Sequence, residues 1–181
     1  MVTLPAHLEH LAQRPPRRLL RRPLRRPAHV PPPHGPPTGT TQRTTYGGAS
    51  LAITVQQLID PLRDSGAALL PGARAVGIVV ELVNSGPSLY DSSATGDFSL
   101  LVSRGPVTPV FVPGGVCKTP LEDFDRYMTT GAVRSGCVAF SVPSAARVLA
   151  VRFSPHDQPA GRLTWSVASG VRRDSKRAGA R

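Results

Sequence analysis

Residues 74–84, with the sequence R-A-V-G-I-V-V-E-L-V-N, constrain the fold of this chain more than any other stretch. Branched apolar side chains share one parity along it, at Val76, Ile78, Val80 and Leu82. Alternation with a period of two is typical of a β-strand that buries one face. We therefore predict a central β-strand here, with partner strands on both sides.

Shorter segments of the same alternation occur on either side of this strand, separated by turns rich in Gly and Pro. They are residues 51–55, 98–102, 107–112, 136–143, 147–153 and 162–167. Pro109 interrupts one of them, which indicates an edge position or a bulge, and Trp165 has the parity of a core side chain. Residues 113–130 are predicted to form a long loop. About seven short strands without amphipathic helices between them predict an all-β, immunoglobulin-like antiparallel β-sandwich.

The positive charge of the chain, +11 in total, lies at its two ends. Residues 1–45 hold eight arginines and one glutamate, a net +7, while residues 46–170 hold nine basic and nine acidic residues and are neutral. Residues 1–45 also contain ten of the twenty prolines, and proline cannot donate to a backbone ladder. We predict a disordered Pro/Arg-rich arm at 1–45, a folded domain at 46–170 and a disordered basic tail at 171–181.

Three motifs, in their order along the chain, resemble a known family. They are L-A-I-T-V-Q-Q-L-I-D-P (51–61), V-G-I-V-V-E-L-V-N-S-G (76–86), and R-S-G-C-V-A-F-S-V-P (134–143) followed by R-V-L-A-V-R-F. This order resembles a bacterial family of immunoglobulin-like domains of unknown function, of the secreted immunoglobulin-like antigen type. The family occurs in secreted proteins and lipoproteins of actinobacteria and other Gram-positive bacteria.

The resemblance implies an exported or cell-surface module without enzymatic activity or cofactor. Its expected role is binding or adhesion of unknown specificity to a protein or cell-envelope partner, in the extracellular space or the cell envelope. The chain departs from the family at its beginning. An Arg/Pro arm stands where a signal peptide or a lipid-anchored cysteine is expected, and residues 1–45 lack the apolar segment of a secretory signal.

Cys117 and Cys137 are the two cysteines of the chain. They are compatible with one structural disulfide, which would contribute roughly 3 kcal/mol by closing a loop of this length, or with two independent thiols. The resemblance to an exported family favours the bridge. A metal site is disfavoured because histidines at ligand spacing are absent.

The motifs that would indicate an enzyme are missing from this sequence. His156 is the one histidine of residues 46–170, and there is no G-x-S-x-G turn, phosphate-binding loop or dinucleotide-binding turn. Glu122, Asp123 and Asp125 cluster without the alternating spacing of a calcium loop, so we interpret them as a solvated acidic loop. The sequence therefore predicts a protein that is not an enzyme and holds no metal or cofactor.

The N-terminal arm carries the alternative hypothesis, a cytoplasmic protein whose basic arms bind nucleic acid or anionic lipid. Its candidate contacts are Arg17, Arg18, Arg21, Arg22, Arg25 and Arg26. Such a cluster binds phosphates regardless of sequence and in a salt-dependent manner, but no aromatic residues are interleaved for base stacking. Within the domain, Tyr46, Tyr90 and Tyr127 lie in loops or at strand ends, where they could form a binding surface.

Overall fold

The computed structural model describes residues 34–62, 69, 71–110, 119–121 and 127–167. Within these ranges the chain forms ten β-strands and one short 3-10 turn. The strands are β1 (Thr41–Tyr46), β2 (Ala49–Ile59), β3 (Ala73–Asn84), β4 (Tyr90–Asp91), β5 (Phe98–Val102), β6 (Gly105–Val107), β7 (Tyr127–Met128), β8 (Val133–Pro143), β9 (Val148–Phe153) and β10 (Leu163–Ser166), and the 3-10 turn is Pro155–Asp157. Most of the predicted arm and the whole predicted basic tail lie outside the described residues.

The strands pair into two antiparallel four-stranded sheets and one small two-stranded sheet. The first sheet has the order β1-β2-β3-β8, the second β10-β9-β5-β6, and the small sheet joins β4 to β7. In the immunoglobulin nomenclature, β2, β3 and β8 correspond to strands A, B and E, and β10, β9 and β5 correspond to G, F and C. The fold is thus an immunoglobulin-like antiparallel β-sandwich, as the sequence predicts.

The core lies between the two large sheets, and β3 is its central element. β3 pairs with β2 on one edge and with β8 on the other, and Val76, Ile78, Val80 and Leu82 are all 0% exposed. Trp165 on β10 is likewise fully buried in the facing sheet. Burying each aliphatic side chain of β3 contributes about 1.5–3 kcal/mol. The observed burial confirms the predictions of a central strand and of a core tryptophan.

The outer face of the first sheet is partly covered by Leu62, which lies shortly after the end of β2. Leu62 donates its backbone N–H to the carbonyl of Ala75 at 2.8 Å and forms a small apolar cluster with Ala75 and Ala139. A methyl group at Gly77 would lie 3.1 Å from the Leu62 side chain and 3.3 Å from the Cys137 sulfur. Small residues on this face therefore make room for Leu62 beside Cys137.

The folded part begins before Tyr46, so the predicted boundary of the disordered arm is wrong for residues 34–45. β1 starts at Thr41. Before it, the N-terminal strap, residues 35–40, runs beside β10: the Ser166 N–H donates to the carbonyl of Pro36 at 2.9 Å, and Trp165 Nε1 donates to the carbonyl of Thr40 at 2.7 Å. These contacts cover the open edge of β10. The strap itself has no alternating apolar residues that would have predicted it from the sequence.

Two other boundaries also differ from the sequence predictions. β8 begins at Val133, earlier than the predicted residue 136, because its first three residues pair with the last part of β3. β7 lies within the segment predicted as a loop. It is only two residues long, too short to show alternation, and it pairs with β4. Pro109 contacts β8 through an isolated bridge to Phe140, beyond the end of β6, which agrees with the predicted edge position.

We expect Val80→Asp to prevent folding, because it places an unpaired charge in the fully buried face of β3. A loss above about 4 kcal/mol is expected for such a change. Glu81→Lys is the matched control, since Glu81 lies on the opposite, half-buried face. Urea unfolding should show no cooperative transition in Val80→Asp and a midpoint near that of the wild type in Glu81→Lys, and equal damage from the two would contradict one-sided burial at this position of β3.

We expect Gly35→Ala to detach the N-terminal strap while the sandwich stays folded. A Cβ at Gly35 would lie 2.2 Å from the carbonyl oxygen of Thr164, and relieving such overpacking costs about 1–3 kcal/mol. Amide hydrogen exchange should accelerate at Ser166 and Gly39, whose N–H groups bond to Pro36 and Val55. Pro37→Ala, at an exposed position, is the control, and unchanged protection of Ser166 in Gly35→Ala would refute this role of the strap.

Candidate functional site at the loop end of the sandwich

Three connections meet at one end of the sandwich, which we call the loop end. They are the β1–β2 turn, the chain between β3 and β5 that contains β4, and the chain between β9 and β10. The strand register brings them together, because Asn84 pairs with Leu51 at the start of β2 and Phe98 pairs with Phe153 at the end of β9. In immunoglobulin variable domains the corresponding B–C and F–G loops bind the antigen.

A buried pair, Tyr90 and Asp97, anchors two of these connections. Tyr90 is 0% exposed and Asp97 6% exposed, and the Tyr90 hydroxyl donates a hydrogen bond to Asp97 Oδ2. Burial raises the pKa of Tyr90 above its ordinary value, and the negative charge of Asp97 raises it further. The phenol therefore remains a hydrogen-bond donor to Asp97 at pH values where an exposed tyrosine ionises.

The second oxygen of Asp97 fixes the conformation of the β9–β10 connection. Asp97 Oδ1 accepts the backbone N–H of His156 at 2.9 Å, and the backbone carbonyl of Asp97 accepts the N–H of Ser154 at 2.8 Å. His156 and Asp157 have left-handed backbone angles, with φ of 47° and 55°, which cost an L-residue about 1–2 kcal/mol each. Asp97 thus helps to hold the connection in a conformation that these residues would not adopt alone.

The imidazole of His156 joins this connection to two others. Its Nε2 lies 2.6 Å from the carbonyl oxygen of Asp91, so Nε2 carries the proton and donates it. The same ring packs against Tyr46 at a centroid distance of 5.3 Å. Because β1, β4 and the β9–β10 connection all contact this one side chain, their exposed residues keep fixed relative positions.

Asn84 holds the beginning of the β3–β5 connection, the turn that follows β3. Its buried amide nitrogen donates to the carbonyls of Ser88 and Met128 at 2.9 and 2.8 Å, and its Oδ1 accepts the N–H of Gly86 at 3.1 Å. The bond to Met128 also connects this turn to β7. A side chain with two donors and one acceptor in these positions fits asparagine and leaves no polar atom of the amide unused.

Beside these anchors lies a surface of four exposed residues and the half-buried Tyr46, which we call the loop-end surface: Leu89, Asp91, Tyr127, Tyr46 and His156. Asp91 pairs with Tyr127 across the small sheet, and Leu89 shares their outward parity while Tyr90 and Met128 point into the core. Leu89 is 45% and Tyr127 51% exposed. An exposed tyrosine and leucine on a rigid support are typical of a recognition surface, because aromatic anchors contribute most of the energy in protein interfaces.

A shallow hollow of about 450 Å³ lies beside the β1–β2 turn. It is lined by Arg43, Thr44, Thr45, Ser50, Leu51 and Ser85. Its lining is rich in hydroxyl groups and carries one exposed cation, so it extends the polar part of the loop end toward the outer face of the first sheet.

The structure separates the residues that the sequence singled out. Tyr127 is accessible and Tyr46 is half-buried, but Tyr90 is fully buried, so it cannot contact a ligand as the sequence suggested. Cys137 lies on β8, close to Gly77. The remaining candidates lie outside the described residues: Cys117, the six arm arginines Arg17, Arg18, Arg21, Arg22, Arg25 and Arg26, and the acidic cluster Glu122, Asp123 and Asp125.

Sequence reasoning missed the residues that organise the loop end, Asn84, Asp97 and His156. Asn84 and Asp97 stand directly at the boundary between a turn and an alternating strand, and this position was the only available signal. Among the described residues, no group of three potential metal ligands comes together, and no helix has the length and hydropathy to cross a membrane. What the loop end offers chemically is a rigid, mixed polar and apolar contact surface.

Comparisons with known proteins give one structural similarity and no sequence match. No protein-family model matches the chain, and no curated protein matches its sequence. The chain is similar to the crystal structure of an uncharacterized β-sandwich protein from Clostridium difficile 630, with 8% sequence identity and a TM-score of 0.42. That alignment covers 74% of this chain and 94% of the other. The assignment to the β-sandwich class rests on the strand pairing described above.

Tyr90→Phe should destabilise the protein at neutral pH by about 1.5–3 kcal/mol, because it removes a hydrogen bond to a buried carboxylate. It should also change the pH dependence. In the wild type, the unfolded chain releases the Tyr90 proton above pH about 10 while the folded chain retains it, so stability is complete below that pH and falls above it. Urea unfolding from neutral to alkaline pH should show a shallower alkaline loss in Tyr90→Phe than in the wild type. Identical slopes would refute the buried, proton-donating state of Tyr90.

Proposed function

We propose that this chain is a non-enzymatic, immunoglobulin-like binding module that acts outside the cell or at the cell surface, and that its loop end contacts a protein or cell-envelope partner. The observation that carries the proposal is the construction of the loop end. Exposed Leu89 and Tyr127 stand on a support that Tyr90, Asp97 and Asn84 make rigid. Rigid aromatic contacts lose little conformational entropy on binding, which favours affinity.

The charge distribution supports recognition by shape and hydrogen bonding. Residues 46–170 carry no net charge, so this part of the chain has no long-range attraction for phosphate or anionic lipid. The basic residues outside it belong to the alternative, in which a cytoplasmic protein binds nucleic acid or an anionic membrane through Arg17, Arg18, Arg21, Arg22, Arg25 and Arg26. The two hypotheses therefore assign binding to different segments of one chain.

The cysteines support export. The chain has two cysteines, and a bridge between Cys117 and Cys137 is the pairing we propose. Such bridges persist in oxidising compartments and are rare in the cytosol. Such a bridge would attach Cys117 to β8 at Cys137, close to Leu62 and Gly77.

Three full-length variants test the loop end. Tyr127→Ser and Leu89→Ser should keep the unfolding midpoint of the wild type but lower the affinity for purified cell envelopes of the producing organism by about tenfold or more. Val110→Ser is the matched control, because Val110 is also an exposed apolar residue, at 36%, but follows β6 away from the loop end. Retained affinity in both loop-end variants, or an equal loss in Val110→Ser, would overturn the assignment of binding to this surface.

A second measurement separates the two compartments and the two binding segments. Free thiols are blocked with a reagent in intact cells before lysis, and the protein is then analysed by mass spectrometry. If the protein is exported, Cys117 and Cys137 should be unmodified. Replacing the six arm arginines by glutamine should abolish any salt-dependent DNA binding, to which each phosphate contact adds about −0.9 to the slope of log affinity against log salt, but should leave envelope binding intact. Modified cysteines together with an activity lost in the arginine variant would establish the cytoplasmic alternative.

A further inference from the structure

Within the residues that the structure describes, β1 is the one edge of the two large sheets that stays open along a full strand. The N-terminal strap covers β10, and residues 119–121 bond to β8 through Cys137. β6 is three residues long and contains Pro106. β1 has six residues and no proline, and an open strand edge of this kind accepts pairing with a further strand.

The strand register shows which backbone groups of β1 face this edge. The Ser50 carbonyl accepts the N–H of Ser85, which follows β3, so the backbone groups of Ser50 face β3 and not β1. Ser50 pairs with Thr45, and a residue directly opposite in such a pair turns its N–H and C=O away as well. Thr45 therefore directs these groups away from β2, and so do Thr41 and Arg43, which have the same parity.

These outward groups have no partner in the part of the chain that the structure describes. Neither the backbone nor the exposed guanidinium of Arg43 has a hydrogen bond or an ion pair there, and Glu81, on the same face, lies two strands away on β3. The edge ends at the loop end, where a Cβ at Gly161 would lie 3.4 Å from the Thr45 carbonyl oxygen. The groups open to a further strand are thus those of Thr41 and Arg43 and the N–H of Thr45.

The hollow beside the β1–β2 turn lies next to this open edge. Arg43, Thr45 and Ser50 are among its lining residues, and their side chains have the parity opposite to that of the buried Leu51. In a strand added to β1, the residue opposite Arg43 directs its side chain to the same face of the sheet. That side chain therefore reaches the hollow, whose volume is about 450 Å³ and whose walls carry a guanidinium and hydroxyl groups.

We propose that β1 binds an extended segment of a protein partner, which adds to the first sheet as a further strand and carries an Asp or Glu side chain opposite Arg43. Main-chain hydrogen bonds to Arg43 and Thr45 supply the affinity of strand addition, and the acid in the hollow supplies specificity. A carboxylate matches the guanidinium in charge and in its two-pronged geometry. The proposal uses neither Leu89 nor Tyr127, so it is independent of the binding proposed for the loop-end surface.

A second copy of this chain fits the same edge less well. Antiparallel pairing of β1 with its copy bonds the outward positions 41, 43 and 45 to one another. Arg43 then lies directly opposite the Arg43 of the copy, or diagonal to it after a shift to the next register with the same hydrogen-bonding parity. Like charges at such positions on one face destabilise strand pairing, whereas opposite charges stabilise it. The charge of Arg43 thus favours an acidic partner over self-association.

Amide hydrogen exchange of the free, full-length protein tests the geometry of this edge. The amides of Thr44 and Tyr46 face β2 and should be protected, whereas those of Arg43 and Thr45 should exchange as fast as amides in an open loop. Protection of all four amides would show that the edge is already occupied, and this overturns the proposal.

The partner is tested with a displayed library of random short peptides, selected on the full-length protein and counter-selected on Arg43→Glu. Selected peptides should carry one Asp or Glu among β-branched residues, and a synthetic copy should slow the exchange at Arg43 and Thr45. Replacing its acid by lysine should weaken binding to the wild type and strengthen binding to Arg43→Glu, severalfold in each case. Thr45→Pro removes an outward N–H, a change that an edge strand tolerates, and should lower the peptide affinity by about tenfold or more at an unchanged unfolding midpoint.

Two control variants locate the bound peptide. Arg104→Gln, which removes an exposed arginine in the β5–β6 turn, and Tyr127→Ser should both leave the peptide affinity unchanged. A loss of affinity in Tyr127→Ser would place the peptide on the loop-end surface and overturn the proposal for β1 alone. Failure to select any peptide, or selected peptides that protect other amides, also overturns it. A wild-type dimer in sedimentation that Thr45→Pro separates would make a second copy the occupant of the edge instead.

Discussion

The pairing of β3 with a strand on each side is the constraint on which the rest of the sandwich depends. β2 and β8 take up its two edges, and its two faces accept different residue sizes. Large branched side chains fill the face toward the second sheet, while Ala75 and Gly77 leave space for Leu62 on the other face. A shift of one residue in register would exchange these faces. Large side chains would then clash with Leu62, and small residues would leave the core unfilled. The register of β3 thus fixes both layers at once.

Once β3 is fixed, the remaining problem for a sandwich is its open edges, which invite pairing with other chains. Short irregular segments cover two of them. The N-terminal strap lies along β10, and residues 119–121 bond to β8 through Cys137. The approach to β8 is so close that a Cβ at Gly136 would lie 2.5 Å from the Cα of Leu121. On the far edge of the second sheet, β6 is three residues long and contains Pro106, which limits further pairing.

The sequence predicts the strands that bury one face and fails where burial does not produce a period of two. β3, β5, β9 and β10 follow from alternation, because their inward residues are apolar. β1 is missed because it is an edge strand of polar residues, and the strap is missed because its prolines resemble those of a disordered arm. The loop end is inaccessible to pattern reading for another reason: His156 reaches Asp97 only because β9 pairs with β5, a strand that is distant in sequence.

The fold also decides where the two basic segments join the domain. The strap runs parallel to β10, as the bridge between Pro37 and Ser166 shows, so His34 lies on the side of β10 nearer the β9–β10 connection and the loop end. Val167 bonds to Leu149 at the start of β9, on the side away from the loop end. A partner held at the loop end therefore meets the attachment point of residues 1–33 and not that of residues 168–181.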